Sequence, residues 1–397
     1  MVISYIKWLV LCGLLAVPLV VGLLWLDHNR ETSLPAPTGP FAVGRSLYDW
    51  AGDQAAPKRE LLAWVWYPAD GGESGTVADG YVPASVRAPE APPGGPLILR
   101  PLTWLFRLTI RDRSKVRGHS LGDASVSPQQ PSYPVVLLRA GGTGEVMNYS
   151  ALAEDLASNG YVVVGLDAPY RTARVVFPDG RVIQQSPENN LDLYEGEALV
   201  NHANKMVQAW SADMSFALDQ LARLNAAGRF QGRLDMRRVG AFGHSFGGAH
   251  ALQFCHDDVR CKACIDVDGI PLGSAAREGI TQPVMFLLSD HRGESGDETG
   301  QAQANFGSMF NRLAGDRWME IMIRGANHYM FSDNNALLRN PEMMWLLRMA
   351  RVVKIDGPRQ VAVAAYFIRA FFDVHLNGAP ASELQARAAY PEVEYLH

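Results

Sequence analysis

The sequence predicts an α/β protein with a doubly wound, mostly parallel β-sheet and an N-terminal transmembrane helix in front of it. From residue 133 onward, short apolar runs without polar alternation are separated by helical stretches, as expected for parallel strands that are buried on both faces. Near the N-terminus, residues 8–26 form an apolar run without a charged side chain. These two observations define a folded body and a separate membrane segment.

The composition is that of a globular protein and argues against a nucleic-acid partner. The chain has 397 residues, of which 48% are hydrophobic and 19% charged, enough for a large core. With 36 Lys and Arg against 41 Asp and Glu, the net charge of −5 provides no broad basic surface. We therefore expect no nucleic-acid partner.

The N-terminal run, WLVLCGLLAVPLVVGLLWL, is long enough to cross a membrane. At about 1.5 Å per residue, a helix of this length approaches the hydrocarbon thickness of roughly 30 Å. We expect residues 1–30 to be a membrane anchor; a cleaved signal peptide is the alternative. Lys7 precedes the run, so the positive-inside rule places the body in the periplasm or outside the cell.

The segment after the anchor reads ETSLPAPTGP and predicts a Pro-rich tether over residues 31–40. We expect one domain over residues 41–397. It begins with an antiparallel hairpin formed by residues 41–48 and 61–67. Residues 169–197 contain no convincing strand and are predicted to be a cap or loop insertion.

Six apolar runs predict the strands of the sheet that follow this hairpin. In chain order they are YPVVLLRA, YVVVGLD, RRVGAFG, CKACIDVD, PVMFLLSD and WMEIMIRG. Helices are expected between them, the longest over residues 200–224. An apolar segment over residues 97–108 is compatible with core packing, with a pocket wall or with membrane contact.

The strongest motif is the pentapeptide Gly-His-Ser-Phe-Gly at residues 243–247. It is a G-x-S-x-G sequence that directly follows a predicted strand and directly precedes a predicted helix, the context of a nucleophile elbow. The Ser245 hydroxyl would then project from the carboxyl edge of the sheet, at a helix N-terminus that favours a developing oxyanion. A purely structural turn is the less favoured interpretation.

A serine nucleophile needs a base and an orienting carboxylate. His328 follows the last parallel strand, where the chain order Ser, Asp, His places the base, with His375 and His291 as weaker choices. His244 is expected to point away from the elbow. Two strand ends offer an acid, Asp268 and Asp290, and position alone does not separate them.

Asp266, on the same strand face as Asp268, is a weaker third choice for the acid. The glycine-rich segment at residues 139–144 follows the first parallel strand and permits close backbone approach to a substrate carbonyl. It lacks the Lys-Ser or Lys-Thr ending of a nucleotide-binding loop. We expect the backbone amides of Gly142 and Phe246 to form the oxyanion hole.

Several of these runs resemble the platelet-activating-factor acetylhydrolases of the plasma and intracellular type II group and their bacterial relatives. The resemblance covers residues 39–375. It is carried by GPFAVGRSLYDW with VWYPAD, YPVVLLRAGGTG, YSALAEDLASNGYVVVGLDAPYR, GHSFGG, IDVDGIPLG and GANHYMFSD. It implies an α/β-hydrolase fold, assigns the acid to Asp268 instead of Asp290, and supports the other site residues.

The chain departs from the family's pattern at two places. Ala140 and Gly141 stand where the family commonly has His-Gly, and Gly269 and Ile270 are smaller than the family's aromatic counterpart. Both changes concern the acyl and leaving-group pocket. Ester hydrolysis is therefore implied more strongly than phospholipid specificity.

The expected function is a serine carboxylic-ester hydrolase that removes short acyl groups from phospholipid-like or other esters through an acyl-enzyme. Its alternatives are a broad carboxylesterase or dienelactone-hydrolase-like enzyme acting on soluble esters, and a catalytically inactive hydrolase-fold binding module. No cofactor or metal is expected. Four cysteines are too few for a disulfide framework, although Cys255 and Cys261 could pair in an oxidising compartment, with buried thiols as the alternative.

Overall fold

The structure is a computed structural model that describes residues 17–52, 59–71, 78–87, 100–292, 297–313, 315 and 317–397. Within this part of the chain, twelve strands form one sheet and two more form a separate ribbon. The strands are β1 Thr32–Ser33, β2 Ala42–Ala51, β3 Glu60–Ala69, β4 Ala78–Gly80, β5 Val116–Gly122, β6 Tyr133–Arg139, β7 Val162–Asp167, β8 Arg174–Val176, β9 Val182–Gln184, β10 Leu234–His244, β11 Cys261–Val267, β12 Val284–Leu288, β13 Trp318–Ile323 and β14 Val393–Tyr395.

Helices separate the strands in the second half of the chain, as the sequence predicts. They are α1 over residues 17–28, α2 Arg100–Arg107, α3 Ser150–Ser158, α4 Gly196–Ala226, α5 Phe246–Asp257, α6 Gly273–Glu278, α7 Asp297–Phe310, α8 Asp333–Ala336, α9 Pro341–Met349 and α10 Gly357–Asn377.

The central sheet has the order β1-β5-β2-β3-β7-β6-β10-β11-β12-β13-β14, with β4 paired to β5. Strands β7, β6, β10, β11, β12 and β13 are parallel neighbours, and β2, β3 and β7 pair antiparallel. The carboxyl ends of the parallel strands therefore meet at one edge of the sheet. The hairpin expected at the start of the body is present as β2 and β3.

Two hydrophobic cores cover the two faces of the sheet. Alternate residues of β6 point to opposite cores: Val136 and Leu138 pack with α3 and α10, whereas Val135 and Leu137 pack with α4 and α5. All four side chains are fully buried. Burial on both faces explains why these strands show no polar alternation in the sequence.

Residues 31–40 are packed on the body, so the expectation of a free tether is wrong. Thr32 and Ser33 pair with β5, and Leu34 is buried. The Thr38 hydroxyl donates to Asp155 Oδ1 at 2.7 Å, and the Gly39 amide donates to Ser158 Oγ at 2.9 Å. These contacts join the segment to helix α3, far along the chain.

The insertion at residues 169–197 contains the two-stranded ribbon β8–β9, so the expectation that it lacks strands is also wrong. The ribbon is anchored to the glycine-rich segment, because the Ala173 amide donates to the Thr143 carbonyl at 2.7 Å. Each of its strands has only three residues with mixed polarity, too few to give a periodic signal.

Helix α1 is the described end of the predicted N-terminal span. Residues 8–16 of that span lie outside the described residues. Within the described residues, no helix combines the length and the apolar character needed to cross a bilayer. The end of α1 is fixed to the body, since Asp27 pairs with Arg111 at 3.2 Å and His28 Nδ1 donates to the Ile110 carbonyl at 2.6 Å.

Two of the three cysteines in the described part of the chain form a disulfide. Cys255, in α5, and Cys261, at the start of β11, form a disulfide, while Cys264 is a buried free thiol. Burial raises the pKa of the Cys264 thiol, which keeps it protonated and unreactive. Cys12 lies outside the described residues.

Candidate active site

Ser245 lies at a sharp turn between strand β10 and helix α5, at the carboxyl edge of the sheet. Its backbone has φ 55° and ψ −127°, a strained conformation for a residue with a side chain. A Cβ on Gly243 would lie 2.1 Å from the Gly247 carbonyl oxygen, and one on Gly247 would lie 2.5 Å from the Ala140 carbonyl oxygen. The two glycines of the motif are therefore required by the closeness of the surrounding backbone.

His328 reaches Ser245 from the loop that follows β13. Its Nε2 lies 3.0 Å from Ser245 Oγ, and its Nδ1 lies 2.8 Å from Asp268 Oδ2. Because a carboxylate only accepts, Nδ1 carries the proton and Nε2 of the neutral ring is free to accept from the serine hydroxyl. The three residues predicted for nucleophile, base and acid are thus brought into one hydrogen-bonded chain.

Asp268 follows β11 and is buried, with positive φ of 56°. Besides His328, its carboxylate accepts from the Ser289 amide at 2.7 Å, from Ser289 Oγ at 2.6 Å and from His291 Nε2 at 2.7 Å. Burial alone would raise the pKa of Asp268, but the hydrogen bonds from His291 and His328 hold that pKa well below its usual range. The carboxylate is therefore ionised wherever His328 can act as a base.

Asp290, the alternative acid, has different hydrogen-bond partners. Its carboxylate accepts from Arg292 Nε at 2.7 Å and from the Gly325 amide at 2.8 Å. The Arg292 hydrogen bond holds the pKa of Asp290 well below its usual range. The structure thus favours Asp268 as the partner of His328.

Two of the other weaker candidates, Asp266 and His375, have different partners. Asp266 points into the core beneath the elbow, where its Oδ1 accepts from the Gly269 amide at 2.8 Å and burial raises its pKa to about 8. His375 lies on α10 with its ring 4.5 Å from that of Phe371, and burial lowers its pKa. His291 contacts the acid instead of the serine.

A second chain of hydrogen bonds links the loops around the serine, and sequence reasoning missed it. His244 Nε2 lies 2.8 Å from the His328 carbonyl oxygen, so Nε2 carries the proton. His244 Nδ1 then accepts from the Tyr149 hydroxyl at 2.7 Å, and the Tyr149 oxygen accepts from the Gly141 amide at 3.2 Å. The expectation that His244 points away from the site is wrong.

This chain, Gly141–Tyr149–His244–His328, is called the loop brace below. Burial lowers the pKa of His244 to about 3, so its ring stays neutral and its two nitrogens keep distinct roles. The presence of histidine at the second motif position was the only sequence signal for it. Tyr149 gave none, because its partner is 95 residues away in the chain.

The predicted oxyanion donors belong to the two segments that meet at the serine. Phe246 is the first residue of α5, where backbone amides have no acceptor within the helix. A Cβ on Gly141 would lie 3.1 Å from Ser245 Cβ, which shows how closely the glycine-rich segment approaches the serine. The Gly141 amide is used by Tyr149, and the next amide, that of Gly142 at φ 51°, stays the predicted donor in this segment.

A cavity of about 430 Å³ opens beside this segment. Thr143 and Gly144 form one wall, directly after Gly142. Arg111, Arg113 and Arg174 are among the other lining residues. In the part of the chain that the structure describes, no cluster of side chains has the composition of a metal site.

The fold and the site define the class: a mostly parallel sheet with a serine on a strained strand-to-helix turn, held by histidine and aspartate, is the arrangement of an α/β-hydrolase. A family model described as platelet-activating factor acetylhydrolase, isoform II, matches residues 26–343. The chain belongs to this family, and the predicted resemblance is confirmed. This chain is therefore an ester-hydrolysing enzyme.

Individual relatives agree with this assignment. The chain is 26% identical over 399 residues to a probable 1-alkyl-2-acetylglycerophosphocholine esterase of Arthroderma benhamiae, covering 91% of this chain and 93% of that protein. It is 27% identical to a platelet-activating factor acetylhydrolase of Canis lupus familiaris over 51% of this chain and 48% of the relative. Among solved structures, a ferulic acid esterase from Streptomyces cinnamoneus matches with a TM-score of 0.71 and 26% identity over 93% of this chain and 100% of that one.

Proposed function

We propose that the chain is a serine carboxylic-ester hydrolase that works through an acyl-enzyme. The observation that carries the proposal is the continuous chain from Ser245 Oγ through His328 to Asp268, with distances of 3.0 Å and 2.8 Å. In this proposal Ser245 is the nucleophile, His328 the general base and acid, and Asp268 the orienting carboxylate.

The reaction follows from this geometry in two halves. As Ser245 Oγ attacks the ester carbonyl, its proton moves to His328 Nε2, and the negative charge on the carbonyl oxygen is stabilised by the amides of Gly142 and Phe246. The intermediate collapses, His328 protonates the leaving alcohol, and the acyl group stays on Ser245. Water, deprotonated by His328, then attacks the acyl-enzyme and releases the acid.

The substrate we propose is an ester with a short acyl group, carried by a phospholipid-like alcohol. The family assignment and the activity named for the fungal relative support it. The alternative, a broad carboxylesterase on soluble esters, is supported by the ferulic acid esterase neighbour and by the small residues Gly269 and Ile270 after the acid.

We also propose that the chain is anchored in a membrane through residues 8–26, with the catalytic body in the periplasm or outside the cell. The disulfide between Cys255 and Cys261 is compatible with such an oxidising compartment. An exposed apolar surface supports contact with lipid. Its side chains are Val17, Leu19, Val20, Leu23 and Leu26 of α1, Leu102, Trp104 and Phe106 of α2, and Trp345, Leu346 and Met349 of α9.

The three helices are linked through one shared cavity and two backbone hydrogen bonds. Residues of α1 and α9 line one apolar cavity of about 460 Å³. The chain after α2 is joined to the chain before α9, because the Arg111 amide donates to the Leu338 carbonyl at 2.8 Å and the Asn340 amide donates to the Thr109 carbonyl at 3.0 Å. A group of exposed apolar side chains on a folded body is typical of a membrane or partner contact.

Three measurements on the full chain test these proposals. A fluorophosphonate probe should label the wild type and not Ser245→Ala; an unlabelled wild type would favour the binding module. Hydrolysis of a short-acyl phospholipid should rise steeply above its critical micelle concentration, whereas equal rates on dissolved substrate would favour the carboxylesterase alternative. Retention in the membrane pellet after an alkaline carbonate wash tests the anchor, and release with a shortened N-terminus would show a cleaved signal peptide.

A further inference from the structure

Asp268 is held by two imidazoles, and the proposed mechanism uses only one of them. His328 Nδ1 lies 2.8 Å from Oδ2, and His291 Nε2 lies 2.7 Å from Oδ1. A carboxylate only accepts, so His291 donates from Nε2 and the ring is fixed in that tautomer when neutral. The His291 side chain is 44% exposed, while the Asp268 side chain is completely buried.

The position of His291 follows from the local chain. Ser289, two residues earlier, donates to Asp268 through both its amide and its hydroxyl, and His291 Nε2 also lies 3.1 Å from Ser289 Oγ. The turn after β12 therefore presents three donors to the acid, and His328 presents the fourth.

We propose that His291 is a positioning residue for the ester hydrolysis: its hydrogen bond to Oδ1 fixes the Asp268 carboxylate and limits how strongly that carboxylate stabilises protonated His328. This inference rests on the proposed function of Ser245, His328 and Asp268. The negative charge of Asp268 is shared between two imidazole donors. If one donor is lost, more of that charge acts on the remaining one, which then keeps its proton to a higher pH.

Ionisable groups lie near His291 both in space and in sequence within the described part of the chain. Asp268 and His328 lie in the chain of hydrogen bonds just described. Asp290 and Arg292, its neighbours in sequence, are paired with each other at 2.7 Å. The hydrogen bond to Oδ1 couples His291 to Asp268, the acid of the proposed triad.

The test is the pH dependence of kcat/KM for p-nitrophenyl acetate, measured on the full chain. His291→Leu removes the donor, and we expect the midpoint of the acid limb to move up by about half a pH unit, with kcat lowered less than tenfold and KM unchanged. His291→Gln keeps an N–H near the position of Nε2, and its midpoint should stay at that of the wild type. A thermal unfolding measurement on each variant verifies that it is folded.

His256→Leu is the matched control, because His256 lies 3.4 Å from the carboxylate of Glu278 outside the site. Its midpoint should equal that of the wild type. An unchanged midpoint in His291→Leu, or an equal shift in His291→Gln, would overturn the inference. Both results are distinct from failure of the proposed function, in which the wild type would be no faster than Ser245→Ala.

Discussion

Removal of the Tyr149 hydroxyl tests whether the loop brace supports catalysis. The substitution Tyr149→Phe keeps the ring but leaves the Gly141 amide and His244 Nδ1 without their partner, at sites where the tyrosine and histidine are buried. An unsatisfied buried polar group costs about 1–3 kcal/mol, so we expect the variant to lose about 2–4 kcal/mol of stability. For a domain of this size, that lowers the melting temperature by roughly 3–5 °C.

The catalytic effect is expected because the brace connects the glycine-rich segment to the loop that carries His328. Complete loss of an oxyanion donor costs about 10²–10³ in kcat. Loosening the segment should cost less, and we expect kcat/KM to fall about tenfold, which corresponds to roughly 1.4 kcal/mol. Since the pKa of His244 is lowered to about 3, this loss should be constant between pH 5 and pH 8.

Tyr161→Phe provides a matched control. The Tyr161 hydroxyl donates to Asp373 Oδ1 at 2.5 Å and accepts from Asn377 Nδ2 at 2.8 Å, so its loss also removes two hydrogen bonds from a buried tyrosine. Tyr161 directly precedes β7 and Asp373 lies on α10, outside the chain of hydrogen bonds at the serine. We expect a similar loss of stability with kcat/KM within twofold of wild type. Equal kcat/KM in the two variants would refute a catalytic role of the brace.

Two further predictions concern stability. Burial raises the pKa of Asp266 to about 8, so the folded protein keeps a proton that the unfolded chain loses near pH 4, and the stability of the wild type falls as pH rises between these values. The asparagine in Asp266→Asn does not titrate, so the melting temperature of this variant minus that of the wild type should be several degrees higher at pH 8 than at pH 5. A difference that does not depend on pH would contradict this prediction. The disulfide closes a short loop between Cys255 and Cys261, so we expect Cys255→Ser to lower the free energy of unfolding by about 2 kcal/mol. A urea titration under oxidising conditions measures this difference, and an unchanged free energy of unfolding would show that the bridge does not form.

Much of the fold could be predicted because its signals are local. The buried strands and the elbow each correspond to a pattern of contiguous residues. Strands β6 and β10 and helix α5 lie where the sequence predicts them. The packing of residues 31–40 could not be predicted in this way, since Thr38 is held by Asp155 at a sequence separation of 117. Pro-rich composition indicates a lack of helix but not a lack of contact.

The candidate site also combines residues that the sequence predicts with residues whose roles it does not. Ser245 and His328 follow from a motif and from the chain order of the strands, but Asp268 and Asp290 end neighbouring strands and are equivalent by position. Their difference lies in the partners of each carboxylate: two imidazoles at Asp268 and Arg292 at Asp290. His291 binds the acid through a turn whose geometry no sequence pattern encodes.

The central claim is tested most directly by hydrolysis of p-nitrophenyl acetate at equal concentrations of wild type, Ser245→Ala, Asp268→Asn and Asp290→Asn. We expect Ser245→Ala and Asp268→Asn to lose about 10⁴ or more in kcat/KM, and Asp290→Asn to stay within a few-fold of wild type because its carboxylate pairs with Arg292. Collapse of Asp290→Asn with an active Asp268→Asn would contradict the assignment of the acid. A wild type no faster than Ser245→Ala would contradict the proposed mechanism itself.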